Sequence, residues 1–165
     1  MNAEHEPNAI WRTLREPNYW RYVTGNGLSL IGTWMQRIAI GWLTWELTHS
    51  PTWLGIIAMA DFFPVVFMGP LGGALADRHS RVKVMVLSQL VAAACALSMF
   101  GLSLSGALHE WHLAIFTFIS GMALGLNQAS RLALAPSLVP RELLTTAIAI
   151  NSMVFNSARF VGPMI

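Results

Sequence analysis

The sequence predicts an all-α integral membrane protein, a bundle of four to five spanning helices. Three observations predict it. Apolar residues make up 55% of the chain and charged residues only 11%, where a soluble domain carries roughly 25% charged. The apolar residues gather into runs long enough to cross hydrocarbon, which takes about 20 residues in a helix. The Lys and Arg residues gather in alternate connections, the pattern that sets membrane orientation.

The same composition excludes other classes. A net charge of +2 does not point to nucleic acid, because the cations form no stripe interleaved with stacking aromatics. Cys95 stands alone in an apolar run, so cysteines supply neither a disulfide framework nor a metal cluster. It reads as a small core residue. No acid pair, nucleophile–base set or metal constellation is found, so the residues point to no enzyme, cofactor or metal ion. The start lacks the basic and short apolar regions of a cleaved signal peptide. The first membrane helix is expected to serve as the targeting signal.

Residues 1–18 are polar, with Pro7 and Pro17 bracketing Asn8-Ala-Ile-Trp-Arg-Thr-Leu-Arg-Glu16. A short interfacial helix using Ile10, Trp11 and Leu14 and a disordered tail fit this segment equally well. Span 1 is expected from about Tyr19 to Leu47. Its Asn26, Ser29, Thr33, Gln36, Arg37 and Thr44 fall near one helical face. Gly25, Gly27, Gly32 and Gly41 permit close helix contacts. A lipid-facing anchor has no use for such a stripe, so this face is expected to meet protein or water.

The link Glu46-Leu-Thr-His-Ser-Pro51 has no Lys or Arg. Span 2, about Thr52 to Ala76, holds one deep acid, Asp61, and two prolines, Pro64 and Pro70. Span 3, about Val82 to Leu108, is the plainest. In the turn that follows, His109-Glu-Trp-His112 is not the zinc motif, which needs histidines four apart on one helix face. Span 4, about Trp111 to Ala135, repeats the stripe with Thr117, Ser120, Asn127 or Gln128, and Arg131. Its Gly121 and Gly125 make a small-xxx-small contact. After Pro136-Ser-Leu-Val-Pro-Arg-Glu142, a fifth span starts near Leu143 and carries Thr145, Ser152, Asn156 and Arg159 on a third stripe. It is expected to be truncated within Phe160-Val-Gly-Pro-Met-Ile165.

Cations fix the orientation. Arg12, Arg15 and Arg21 precede span 1; Arg78, Arg81 and Lys83 lie between spans 2 and 3; Arg131 and Arg141 flank the loop after span 4. All belong to one side, which places the amino terminus in the cytoplasm of a multi-pass protein of the cell (inner) membrane. Spans 1 and 4 look alike, which fits a three-helix unit used twice, the second inverted. Stripes face a wet cavity and a bland helix faces lipid.

The connection between spans 2 and 3 is the most informative stretch. Asp77-Arg-His-Ser-Arg-Val-Lys83 packs one acid, three cations and a histidine into seven residues. Such a charge knot cannot lie in hydrocarbon and is expected as a short cytoplasmic loop. Its residues resemble the loop between helices 2 and 3 of the major facilitator superfamily, Gly-x-x-x-Asp-Arg-x-Gly-Arg-x-Lys. Gly73, Asp77, Arg78, Arg81 and Lys83 match it, and Ser80 stands where the family usually has glycine.

The resemblance extends along nearly the whole chain. Leu30-Ile-Gly-Thr-Trp-Met-Gln36 with Leu47-Thr-His-Ser-Pro51, then Leu138-Val-Pro-Arg-Glu142, Asn151-Ser152 and Ala158-Arg-Phe-Val-Gly-Pro163 resemble the transmembrane secretion effector branch, which includes enterobactin exporters. Gly162-Pro163 resembles the start of the fifth-helix motif of exporters and antiporters. Family members have two six-helix halves, so the resemblance implies the first four to five helices of one half-bundle, an amino-terminal fragment. In that family helices 1 and 4 line the cavity, 2 and 5 flank it, and 3 is peripheral. The resemblance also implies a gate: Asp77 would meet the positive end of a helix in the missing carboxy-terminal part, Arg81 would hold that acid, and Gly73 would allow close approach.

The expected function is therefore a proton-driven exporter of a drug-like or siderophore-like small molecule, working by alternating access. Its partners would be the lipid bilayer, the small-molecule substrate and the missing carboxy-terminal part. An uptake carrier for a small metabolite is the nearest alternative, and a non-transporting scaffold another. A scaffold gains nothing from Arg37, Asp61 and Arg159, each costing about 2.5–3.5 kcal/mol at mid-membrane on insertion scales. At a rise of 1.5 Å per residue, Arg37 lies about 15 Å and Asp61 about 13 Å from the outer ends of their spans, while Arg159 lies about 24 Å from the cytoplasmic end of its own. Similar depth lets Asp61 neutralise one arginine and leaves the other cation for an anionic substrate. Arginine keeps its proton, so a carried proton would ride on Asp61 or on groups in the missing half. With these three, Asn26, Thr33, Gln36, Gln128 and Asn156 form the expected substrate or proton pathway.

Overall fold

A computed structural model describes the backbone of residues 7–78, 80–134 and 138–164, and the side chains of 9–72, 80–131, 134 and 138–164. The described residues form six α-helices and no strand: α1 (Pro7–Arg15), α2 (Pro17–Thr48), α3 (Pro51–Arg78), α4 (Arg81–Leu104), α5 (Glu110–Leu134) and α6 (Leu144–Val161). Two 3-10 turns, Arg141–Leu143 and Gly162–Met164, flank α6. Among them α3, α4 and α5 contain stretches long and apolar enough to cross a membrane, Pro51–Gly72, Arg81–Leu104 and Glu110–Arg131. The long α2 and the shorter α6 carry the polar stripes that dilute their apolar content. Large apolar side chains point outward from the helices, among them Phe62, Val66, Leu87, Leu97, Phe100 and Ile115. That surface suits hydrocarbon and not water.

Helix ends follow local chemistry. Pro7, Pro17 and Pro51 each open a helix, where the missing N–H costs nothing and φ is already set. Between α2 and α3, His49 takes a positive φ of 47° and its N–H donates to the Trp45 carbonyl at 2.8 Å. Pro51 then blocks any continuation of α2. At the end of α4, Gly106 has φ 68°. Gly106 N–H donates to the Ser103 carbonyl and Ala107 N–H to the Leu102 carbonyl, the paired bonds of a Schellman ending. Span 3 therefore stops at Leu104, short of the expected Leu108. At the start of α5, His112 Nδ1 accepts the His109 backbone N–H at 3.1 Å. Histidine here does the work of the Glu or Gln of a capping box.

The charge knot is shorter as a loop than expected. Helix α3 continues to Arg78 and α4 begins at Arg81, so Asp77 and Arg78 extend a helix instead of lying in a turn. Backbone hydrogen bonds persist past the hydrocarbon because the helix satisfies its own N–H and C=O groups on either side of the boundary.

The chain divides into two compact units, residues 1–37 with 134–165, and residues 38–133. In the first, α1 folds as a helix and packs on α6 and the 3-10 turn before it. Thr13 is fully buried and Leu14 joins a core of Tyr19, Val23, Val139, Leu143, Ala147 and Ile150. Ile10 and Trp11 face outward, so Leu14 leaves the expected interfacial trio for the core. The Tyr19 hydroxyl donates to the Ala147 carbonyl at 2.9 Å, which satisfies a phenol with no exposed surface. The contacts Tyr19–Ala147, Gly27–Val154 and Trp34–Gly162 keep a near-constant offset of about 128 residues. Thus α2 and α6 run parallel, as two odd-numbered spans must.

In the second unit α3 and α5 also run parallel. Trp53 meets Trp111 edge-on at 4.8 Å, and further along Gly121, Gly125 and Ala129 follow Asp61, Met68 and Gly72 in order. The expected small-xxx-small contact is present, and its partner is α3. A Cβ on Gly121 would stand 2.7 Å from the Asp61 carbonyl oxygen and 3.1 Å from that of Ala60. Pro64 has no N–H to offer the Ala60 carbonyl four residues back, and the bare Cα of Gly121 lies beside that oxygen, the setting of a Cα–H···O contact. Helix α4 crosses antiparallel: Met99 packs with Leu113 and the Asn127 amide reaches the Met85 carbonyl at 3.5 Å.

Gly55 and Gly121 separate helix propensity from packing. A Cβ at Gly55 meets nothing within 4 Å, so Gly55→Ala should be neutral or stabilise by up to about 1 kcal/mol. Gly121→Ala should push α5 from α3 and destabilise by about 1–3 kcal/mol. Thermal unfolding of the two variants in detergent checks the opposite signs.

Candidate functional site

One face of α6 lies on a single ring of α2. Phe155, Arg159 and Gly162 follow at intervals of four and three residues, one stripe of a helix, and all three meet Trp34. The Phe155 ring stands edge-on to it at 6.2 Å and 71°. The Arg159 guanidinium carbon lies over it, 5.5 Å from the centroid. Arg37, one turn along α2, places its own guanidinium carbon 5.0 Å from the same centroid. Both distances fall within the reach of cation–π attraction, about 6 Å.

Gly162 sets the spacing. A Cβ there would stand 2.5 Å from the Trp34 Cβ and 3.2 Å from the Ile31 carbonyl oxygen. Its backbone is ordinary right-handed helix, so glycine is needed for close approach and not for an unusual φ. Pro163, next in chain, is exposed in the closing 3-10 turn. Sequence patterning singled out Arg37 and Arg159 but not Trp34, which joins both mid-span cations. The signal was present as spacing: Trp34 to Arg37 is i, i+3, and Phe155 to Arg159 is i, i+4.

The two expected cations Arg37 and Arg159 are therefore brought together, both in the first unit. Asn26 and Gln36 lie half-buried on α2. The Gln36 amide nitrogen is buried and finds no hydrogen-bond partner among the described residues. Thr33 instead donates to the Ser29 carbonyl one turn back at 2.9 Å. On α6 the exposed Asn156 donates to the Ser152 carbonyl at 2.8 Å, and Ser152 to that of Ile148 at 3.0 Å. Thr44, placed on the same stripe by spacing, has no exposed surface and bonds back to Ile40.

Asp61 and Gln128 belong to the second unit. Asp61 is half-buried on α3, beside Gly121. On α5 the structure parts two neighbours: Asn127 turns toward α4, while Gln128 is exposed. Thr117 is buried, and neither its hydroxyl nor that of Ser120 finds a partner among the described residues. Of the expected gate, Arg81 is half-buried and Lys83 exposed at the start of α4. The side chains of Gly73, Asp77 and Arg78 lie outside the described residues.

Comparison with known proteins agrees with this architecture. The family model for transmembrane secretion effectors, a branch of the major facilitator superfamily, matches residues 9–165. Macrolide efflux protein A of Streptococcus pyogenes is 28% identical over 141 residues, covering 86% of this chain and 35% of that protein. The enterobactin exporter EntS of Shigella boydii is 30% identical over 142 residues, 84% of this chain and 33% of that one. The staphyloferrin A transporter of Staphylococcus aureus is 22% identical over 148 residues, 87% of this chain and 36% of that one. The chain thus spans about a third of the length of these relatives. No solved structure matches it.

If Trp34 anchors α6, its ring and not its bulk should matter. The single native cysteine can be removed as Cys95→Ser, and Gly27→Cys with Val154→Cys then reports contact between α2 and α6. Trp34→Phe should keep rapid disulfide formation on mild oxidation. Trp34→Leu, losing cation–π attraction of about 0.5–2 kcal/mol per arginine, should slow it several-fold.

Proposed function

Because the chain belongs to the transmembrane secretion effector family of the major facilitator superfamily, we propose that it forms part of a secondary active exporter of small molecules. The observation that carries this reading is the family match over residues 9–165, beside the similarity to relatives named for macrolide efflux and enterobactin export. Those relatives are transporters, and nothing in the chain's chemistry asks for an enzyme. The working carrier in this proposal includes the further helices that the longer relatives possess. It sits in the cell (inner) membrane with the amino terminus in the cytoplasm, the side to which the Lys and Arg distribution assigns it.

Transport would proceed by alternating access, two halves rocking about a site between them. The parallel pairs α2 with α6 and α3 with α5 support the regular up-and-down threading that such a half-bundle needs. Asp61 is the one acid well inside a span among the described residues, which makes it the natural proton carrier of this half. Gly73, Asp77, Arg78, Arg81 and Lys83 would form the cytoplasmic gate. The continuation of α3 to Arg78 supports that role, because it fixes the backbone of Asp77 and Arg78 at the end of a helix.

Two measurements test this. Cells making the complete transporter should hold less of an exported compound than cells without it, and a protonophore should abolish the difference. Efflux that persists after the proton gradient collapses would remove the proton from the mechanism. Within the same carrier, Asp77→Asn keeps shape and length but weakens any contact to a helix N-terminus, a contact worth about 0.3–1 kcal/mol for a charge at the surface and up to ~2 when partly buried. It should lower the export rate severalfold, up to about thirtyfold, at about 1.4 kcal/mol per decade, with surface expression unchanged. Normal rates at normal expression would sink the gate.

A further inference from the structure

The Trp34 cluster gathers two guanidinium groups on one ring. In the spanning parts of α2 and α6 that form the first unit, residues 19–37 and 144–161, the sequence contains Arg21 at the start, Arg37 and Arg159, and no Asp or Glu. Arg159 is exposed on α6, and its recorded contact among the described residues is the face of Trp34. A π face attracts a guanidinium through its charge and takes none of its N–H bonds. No described residue accepts from the five donors of Arg159, which form a planar fork, the shape that pairs bidentately with a carboxylate or phosphate. Beside that fork stands Phe155, one turn back on the same helix, with 38% of its surface exposed.

We propose that Arg159, oriented by Trp34 and flanked by Phe155, forms a binding site for an oxyanion carried on an apolar body. This deepens the exporter reading and rests on it: the site would favour organic acids among the substrates of the carrier. The fork receives the anionic group, and the exposed Phe155 ring covers the apolar part. Arg37 also lies over Trp34, its guanidinium carbon 5.0 Å from the ring centroid. The same chemistry has a second source. Arg159 lies about 22 Å along α6 from Leu144, in the outer half of a hydrocarbon core about 30 Å thick. A long side chain there can rise toward a lipid phosphate.

The test separates the two sources and keeps binding apart from transport. The complete transporter is placed in nanodiscs of phosphatidylcholine, with or without phosphatidylglycerol, and titrated with 1-naphthoate or its neutral amide. The expected result is naphthoate binding in both lipids that falls at least about tenfold in Arg159→Gln, the loss expected on removing a charge-assisted pair. Arg159→Lys keeps the charge but not the fork and should recover only part of the affinity. Trp34→Phe should weaken binding less than Trp34→Leu. Naphthamide should show no dependence on Arg159. Naphthoate affinity unchanged in a folded Arg159→Gln protein overturns the proposal. So does stabilisation by phosphatidylglycerol that needs Arg159 while naphthoate fails to bind, which makes the residue a lipid anchor. Export is measured separately: Arg159-dependent binding without any flux would count against the exporter reading and leave the site standing.

Discussion

Hydrocarbon offers no hydrogen-bond partner, so a spanning helix must satisfy its polar groups from within the protein. Several hydroxyls of this chain meet that constraint in one way. Thr33, Thr44, Ser88, Ser98 and Ser152 each donate to the carbonyl four residues back, at 2.7–3.0 Å. Each bond removes a donor at little cost, because the carbonyl already sits in the helix wall. A polar stripe made of Ser and Thr is therefore compatible with lipid or protein as well as with water. Long polar side chains cannot satisfy themselves this way, and on α5 the Thr117 and Ser120 hydroxyls find no partner among the described residues. Arg37, Arg159 and Gln36 need partners from other turns or other helices, and they distinguish α2 and α6 from a simple anchor.

The same solvent weakens the usual reason for helices to pack. Burying Leu on Leu gains little when the alternative is a lipid tail, so contact must come from close backbone approach and specific side chains. The two units do this differently. In the second, glycines carry the seam: Gly121, Gly125 and Gly72 bring α3 and α5 so close that the atoms opposite are backbone and Cβ. In the first, a short aromatic and hydroxyl ladder does it, from Tyr19 on Ala147 to Trp34 under Phe155 and Arg159. Glycines join it at two points, Gly27 facing Val154 midway and Gly162 closing the gap at the far end. A seam of glycines is rigid in spacing. A seam of rings allows side chains to shift, and it lies where the cations are.

Much of this was legible before any coordinates. The all-helical fold and the Gly121–Gly125 contact follow from apolar length and small-residue spacing, whereas α1 stayed open between a helix and a tail. The Schellman ending at Gly106 was missed because Ala107 and Leu108 continue the apolar run, and hydropathy does not record a positive φ. The back-bonded hydroxyls were missed for a related reason: spacing assigns a residue to a face but not a direction to its χ1. Thr44 and Asn127 went to the stripe by periodicity and turned inward by packing. Trp34 escaped notice because a tryptophan in a membrane helix usually reads as lipid contact or an interfacial belt. Its role depends on a helix more than a hundred residues away in the chain.

That role carries the last step. A cation deep in a span can be balanced by a carboxylate or by a ring, and the choice decides what it can still do. A carboxylate neutralises the charge and takes two of the guanidinium's N–H groups in a bidentate pair. A ring lowers the cost of the charge while leaving its hydrogen-bonding edge open. On α6 the cation that faces outward, Arg159, has the ring. Its fork is thus held by the very contact that docks α6 on α2, and the spacing of that contact is fixed by Gly162. Any motion that slides α6 along α2 must move the ring, the fork and the glycine together. A ligand that prefers one position of the fork therefore biases the position of the helix, which is the thermodynamic requirement for a bound molecule to drive a change of state.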